Sequence, residues 1–253
     1  LKIRGRMKLN RREFSLLFTS AAGASIVSGC RLTGGSELAG NARISARPRD
    51  GVKTSGAGEI RLGLDRERDA LLHLPKRDGP LPLLVMLHGA TQSADDMFGY
   101  LGKTHDEAGV AVLAPNSRDT TWDAILGDFG PDVEFVNRAL ERVFETTAID
   151  PARVSIGGFS DGASYALSLG LINGDLFHSV VAFSPGFVIK RKAQGKPRVY
   201  ISHGTYDHIL PIASCGKQIA FDLKMDGYDV TFREFDGDHE IPAGIAREGL
   251  QWV

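Results

Sequence analysis

Ser160 lies in the run Gly158-Phe159-Ser160-Asp161-Gly162, after the β-prone segment 153–157 and before the helix-prone segment 163–169. A serine between glycines on a strand-to-helix turn is a pattern for covalent catalysis. Side chains two positions before and after the serine would collide with strand and helix, and Gly158 and Gly162 remove them. The hydroxyl then stands above the strand ends, and the N–H of Asp161 faces the same space. A serine hydroxyl is a weak nucleophile until a base takes its proton. A base and a group that orients it must therefore come from elsewhere in the chain.

Two loops supply them. Residues 198–202 read as a buried strand and run into His203-Gly204-Thr205-Tyr206-Asp207, which puts Asp207 on a loop at a strand end. Residues 229–235 alternate like a strand and run into Asp236-Gly237-Asp238-His239, which puts His239 on the next loop. The order Ser160, Asp207, His239 is one that a nucleophile, its orienting acid and its base can take on one sheet edge. His203 and His208 compete for the base. His203 reads as a strand-end residue whose ring bonds the local loop, and His208 follows Asp207 too closely to be turned toward Ser160. Asp236 and Asp238 read as turn formers. With His239 and Glu240 they make a carboxylate–histidine cluster, but no partner spacing elsewhere supports a metal there. No metal or organic cofactor is expected.

A charge developing on the attacked carbonyl needs donors. Residues 82–87 are an apolar run ending in His88-Gly89-Ala90, as at the end of a central parallel strand. The loop beyond such a strand supplies a backbone N–H, here that of Ala90, to pair with that of Asp161. His88 reads as a packing residue that fixes this loop.

Together, the segments 88–90, 158–167, 203–211 and 238–242 resemble the phospholipase/carboxylesterase group of serine hydrolases. That group includes acyl-protein-thioesterase-like enzymes and is close to polyhydroxybutyrate-depolymerase-like esterases. The resemblance covers about residues 70–253. It implies an α/β-hydrolase fold and the cleavage of carboxylic or thio-esters through an acyl-enzyme on Ser160, with a small or lipid-like ester as the partner molecule. A peptidase or acyltransferase could use the same triad, and a non-catalytic surface-binding lipoprotein could use the same fold. The family often has glutamine after the serine. This chain has Asp161, whose acidic side chain at the pocket rim bears on substrate charge.

The N-terminus carries a second signal. Arg11-Arg12 precedes a mildly apolar stretch over 14–27, too short and polar to span a bilayer, and then Val27-Ser28-Gly29-Cys30. This reads as a twin-arginine export signal over 1–29 ending in a lipobox-like site, with Cys30 lipidated and the protein held at the cell envelope. Met7 is a candidate start. Removing residues 1–29 takes away six of the 30 basic and one of the 31 acidic side chains, leaving a formal charge of −6. No basic footprint for nucleic acid remains. Cys215, the other cysteine, reads as a small packed residue.

These chemical groups need a frame. Residues 30–56, rich in Gly, Ser, Ala and Arg, read as a flexible tether. Residues 57–253 suffice for one α/β domain without a separate cap. Entry strands are expected at 59–64 and 71–75, and core strands at 83–87, 110–114, 154–157, 179–183, 199–202 and 230–235. Asp150-Pro151 is expected to close a unit before the strand at 154. After Pro131 a helix is expected, with Val133, Val136, Leu140, Val143 and Phe144 on one face. Alternation of this kind predicts a mostly parallel sheet covered by helices on both faces. The irregular segment 116–130 leaves the active edge. Its Trp122 and Phe129 either line a substrate pocket or seal the loop on the core. Phe187, on another edge loop, is a further pocket candidate, and Asp132 is expected to brace a helix N-terminus.

Overall fold

The structure, a computed structural model, describes residues 33–34 and 42–253. The segment read as an export signal, and Cys30 after it, lie outside the described residues. In chain order the strands are β1 (Thr33–Gly34), β2 (Gly58–Arg61), β3 (Ala70–Leu74), β4 (Leu81–Leu87), β5 (Ala111–Pro115), β6 (Ile149–Phe159), β7 (Ser179–Phe183), β8 (Ile189–Lys190), β9 (Arg198–Gly204) and β10 (Val230–Phe235). The helices are α1 (Ala94–Leu101), α2 (Thr104–Ala108), α3 (Asp123–Leu126), α4 (Pro131–Thr146), α5 (Asp161–Ile172), α6 (Gly216–Met225) and α7 (Ala243–Leu250).

Eight strands form one sheet in the order β10-β9-β7-β6-β4-β5-β3-β2. The pairs from β10 to β5 are parallel, and β3 and β2 add to that edge antiparallel. Strand β4 shows how the layers arise. Leu83, Val85 and Leu87 pack into one core with residues of α4, α5 and α6, while Leu84 and Met86 pack into a second core with residues of α1 and α7. A strand buried on both faces reads as an unbroken apolar run, which is what residues 83–87 are. The apolar face of α4 is buried as expected, with Glu134, Arg138, Glu141, Arg142 and Glu145 exposed on the other side.

Two expectations are corrected. Part of the tether region is packed on the domain. Ile44 is buried, with its N–H on Asn173 Oδ1 at 2.8 Å, and the N–H groups of Ser45 and Ala46 both reach Asn137 Oδ1. Arg43 and Arg47 bind Asp175, which holds that carboxyl below its usual range. Arginine and single apolar residues therefore anchor this segment where low complexity suggested a spacer. Asp150-Pro151 also does not close a unit. β6 begins at Ile149 and passes through both residues, and its register with β4 shifts between Leu81 and Leu83. A proline that cannot donate to the ladder is accommodated at such an irregularity.

Candidate active site

The turn at Ser160 is built as its glycines require. Ser160 has φ 56° and ψ −119°, a left-handed conformation that L side chains rarely adopt, and α5 starts at the next residue. A Cβ at Gly158 would lie 2.4 Å from the Gly162 carbonyl, on the helix side. A Cβ at Gly162 would lie 2.2 Å from the Leu87 oxygen and 2.5 Å from that of His88, on the strand side. Either methyl would push the helix start off the strand end.

Asp207 and His239 are brought together. His239 Nδ1 and Asp207 Oδ2 are 2.7 Å apart, and the Asp207 carboxylate is shielded from solvent. Burial pushes the Asp207 carboxyl up, but hydrogen bonds from His203 and His239 outweigh it and hold the group below the usual carboxylate range. Asp207 Oδ1 also accepts the N–H groups of Ile209 and Leu210. With Nδ1 bonded to a carboxylate, the His239 proton sits on Nδ1 and the lone pair on Nε2. Nε2 is buried and has no partner among the described residues. The ring lies 4.8 Å from that of Phe159, the residue before Ser160. A hydrogen bond from the Ser160 hydroxyl to Nε2 is not made in this structure.

The competing histidines are placed differently. His203 is fully buried, with Nε2 2.7 Å from Leu210 O and 3.1 Å from Asp207 Oδ2. It therefore braces both the loop and the acid, a second contact to Asp207 that spacing alone did not reveal. His208 is exposed and pairs with Asp238 at 2.8 Å. Asp238 is more than a turn former, because its Oδ1 also accepts the His239 N–H.

The donors are arranged by neighbours. Gly89 N–H donates to Gln92 Oε1 and Thr91 N–H to Thr120 O, whereas the N–H of Ala90 between them has no partner among the described residues. Ser117 N–H donates to His88 Nε2, so His88 carries its proton on Nδ1 and donates it to Gly89 O at 2.8 Å. Burial lowers the His88 pKa to about 4. The ring is thus neutral and fixes the loop. Burial raises the Asp161 carboxyl, and Thr121 donates to it at 2.7 Å.

Trp122 and Phe129 are corrected as pocket candidates. Trp122 is fully buried, with its indole N–H on His88 O at 2.8 Å, and Phe129 packs on Tyr165. They seal the loop of 116–130 to the core. Phe187 is half-buried, with its N–H 3.4 Å from Ser164 Oγ, one helical turn beyond Ser160. Asp132 does not cap its own helix. It is buried, it accepts N–H groups from Arg118 and Asp123, and burial raises its pKa to about 6. The α4 start is capped instead by Asp123, whose Oδ2 accepts the N–H groups of Gly130 and Asp132. Cys215 is buried, as a packed residue is expected to be.

The mostly parallel eight-stranded sheet covered by helices is the α/β-hydrolase fold. The sequence model of the phospholipase/carboxylesterase family matches residues 133–245, the stretch that carries Ser160, Asp207 and His239. Esterase FrsA of Klebsiella pneumoniae (strain 342) is 25% identical over 135 residues, covering 51% of this chain and 32% of that protein. The chain thus spans about a third of the length of the curated relatives it matches. Among solved structures, esterase PE8 has a TM-score of 0.59 at 22% identity, covering 72% of this chain and 95% of its own. The fluorophosphonate-binding serine hydrolase FphF of Staphylococcus aureus has a TM-score of 0.63 at 16% identity, covering 78% and 98%.

Proposed function

We propose that this protein is a serine esterase that hydrolyses carboxylic or thio-esters through an acyl-enzyme. The observation that carries the reading is the 2.7 Å pair of His239 with the buried Asp207, with Nε2 unpartnered among the described residues and the ring 4.8 Å from that of Phe159, which precedes Ser160 on its strained elbow. His239 Nε2 takes the Ser160 proton as Oγ attacks the ester carbonyl. The N–H groups of Asp161 and Ala90 receive the oxyanion. Asp207 holds the tautomer and stabilises the imidazolium. His239 then protonates the leaving alcohol or thiol, and afterwards takes a proton from the water that opens the acyl-enzyme. The matched family and the esterase relatives support the same chemistry. Hydrolysis of p-nitrophenyl esters of graded chain length, with labelling by an organophosphonate probe, tests it. Labelling of Ser160→Ala equal to that of the unaltered protein would refute the assignment.

The paired arginines at 11 and 12 and the segment 27–30 support export and attachment to the envelope through lipid on Cys30. A thioether from Cys30 to lipid would leave it no thiol for a disulfide. Mass spectrometry of the N-terminal peptide from the native membrane decides: a diacylglyceryl Cys30 supports the anchor, and a peptide linked to Cys215 overturns it.

A further inference from the structure

Away from Ser160, three side chains of ligand type converge. His73 is on β3, and His105 and Asp106 are on α2. One ligand atom from each lies within 4.8 Å of the others. His73 is in register with Val112, the second residue of β5, whereas Ser160 follows the carboxyl end of β6. The cluster thus belongs to the amino edge of the parallel strands, opposite the candidate active site.

His105 is the informative member. It is 4% exposed, and neither of its ring nitrogens has a partner among the described residues. A buried polar group without a hydrogen bond is costly and uncommon. Its ring meets the edge of His73 at 4.4 Å and lies 5.8 Å from Phe98, so packing holds it in place without satisfying it. His73 Nε2 and Asp106 Oδ1 are already 2.8 Å apart. A surface recess of about 320 Å³, lined by Gly58, His73, Leu74, Lys76 and Asp106, opens onto them.

We propose that His73, His105 and Asp106 bind one divalent transition-metal ion, with water from the recess completing its shell. Two imidazoles and a carboxylate match zinc, which takes nitrogen and oxygen donors at about 2.0–2.2 Å in a tetrahedral shell. The ion gives His105 the partner it lacks. It replaces the direct His73–Asp106 contact and fastens α2 to the antiparallel edge of the sheet. Hard cations such as magnesium prefer oxygen donors and are excluded by the two imidazoles.

The test uses the full chain without an affinity tag, stripped with a chelator and titrated with zinc. One equivalent should bind and raise Tm, and magnesium should do neither. His73→Gln and Asp106→Asn are both at partly exposed positions and should keep the fold. Each should weaken zinc binding about ten-fold or more and abolish the rise in Tm. His239→Ala should bind zinc as the unaltered protein does. Failure of the unaltered protein to bind zinc would overturn the proposal. So would binding that survives both variants, or binding lost in His239→Ala, which would move the ion to the Asp207–His239 pair.

Discussion

Asp123 and Asp132 cap each other. Asp123 N–H donates to Asp132 Oδ2 at 2.7 Å, and Asp132 N–H donates to Asp123 Oδ2 at 2.8 Å. This reciprocal pair closes the loop between α3 and α4. Asp123 Oδ1 also accepts the Tyr165 hydroxyl of α5 at 2.9 Å. The pair therefore ties the loop carrying Trp122 to α5, the helix that follows Ser160. Asp123→Ala should cost about 2–3 kcal/mol, since it removes a cap and leaves buried donors unpaired. Urea denaturation measures it. A loss no larger than that of an exposed substitution would show that the loop is held by Trp122 alone.

On the proposed mechanism, His239→Ala should lower kcat by a factor on the order of 10⁴, with the fold retained. Asp207→Asn should fall nearly as far, because an amide favours the wrong tautomer of His239. His208→Ala, at an exposed ion pair, should leave kcat within about two-fold of the unaltered protein. If His208→Ala abolishes turnover while His239→Ala does not, the base is misassigned.

Glycine substitutions should separate two kinds of position. Gly162→Ala places a methyl 2.2 Å from a carbonyl oxygen and should cost about 3 kcal/mol or more, if the chain folds at all. Gly244→Ala lies in α7 with nothing within 4 Å and should stabilise by about 0.5–1 kcal/mol. Chemical denaturation of both variants checks the contrast. Equal effects would contradict the close approach of α5 to the end of β4.

Acid should act through His88. Burial favours its neutral form, so the unfolded chain binds a proton near pH 6.5 that the folded chain refuses until about pH 4. This contribution to stability is intact above pH 6.5 and is lost as pH falls toward 4, by about 3 kcal/mol. His88→Asn should be less stable than the unaltered protein at pH 7 and should close that gap by about this amount at pH 4. Thermal melts across the window measure it. A gap independent of pH would place the His88 proton elsewhere.

How far the sequence could be read depended on whether a residue's role is local. The elbow was legible because its glycines collide with their own flanking elements. β7 and β10 begin and end where the sequence reading placed core strands. The sides of the sheet carrying Asp207 and His239 followed from strand ends. What stayed hidden was contact between distant segments. Nothing in the spacing showed that His203 would touch Asp207, that Gln92 would occupy the Gly89 N–H, or that Asp123 would cap a helix eight residues on. Trp122 and Phe129 stood open between pocket and core, and only the partner of the indole N–H, the His88 carbonyl, decides. His73 and His105 lie on different elements, so their meeting left no motif.

The left-handed backbone of Ser160 sets stability against reactivity at one position. Holding a side chain at φ 56° costs about 1–3 kcal/mol, and glycine would relieve most of it. Ser160→Gly should therefore melt higher than the unaltered protein and, on the proposed mechanism, turn over nothing. A library of variants ranked by heat resistance alone would favour this dead substitution. Engineering of this scaffold for robustness must keep turnover in every round of selection.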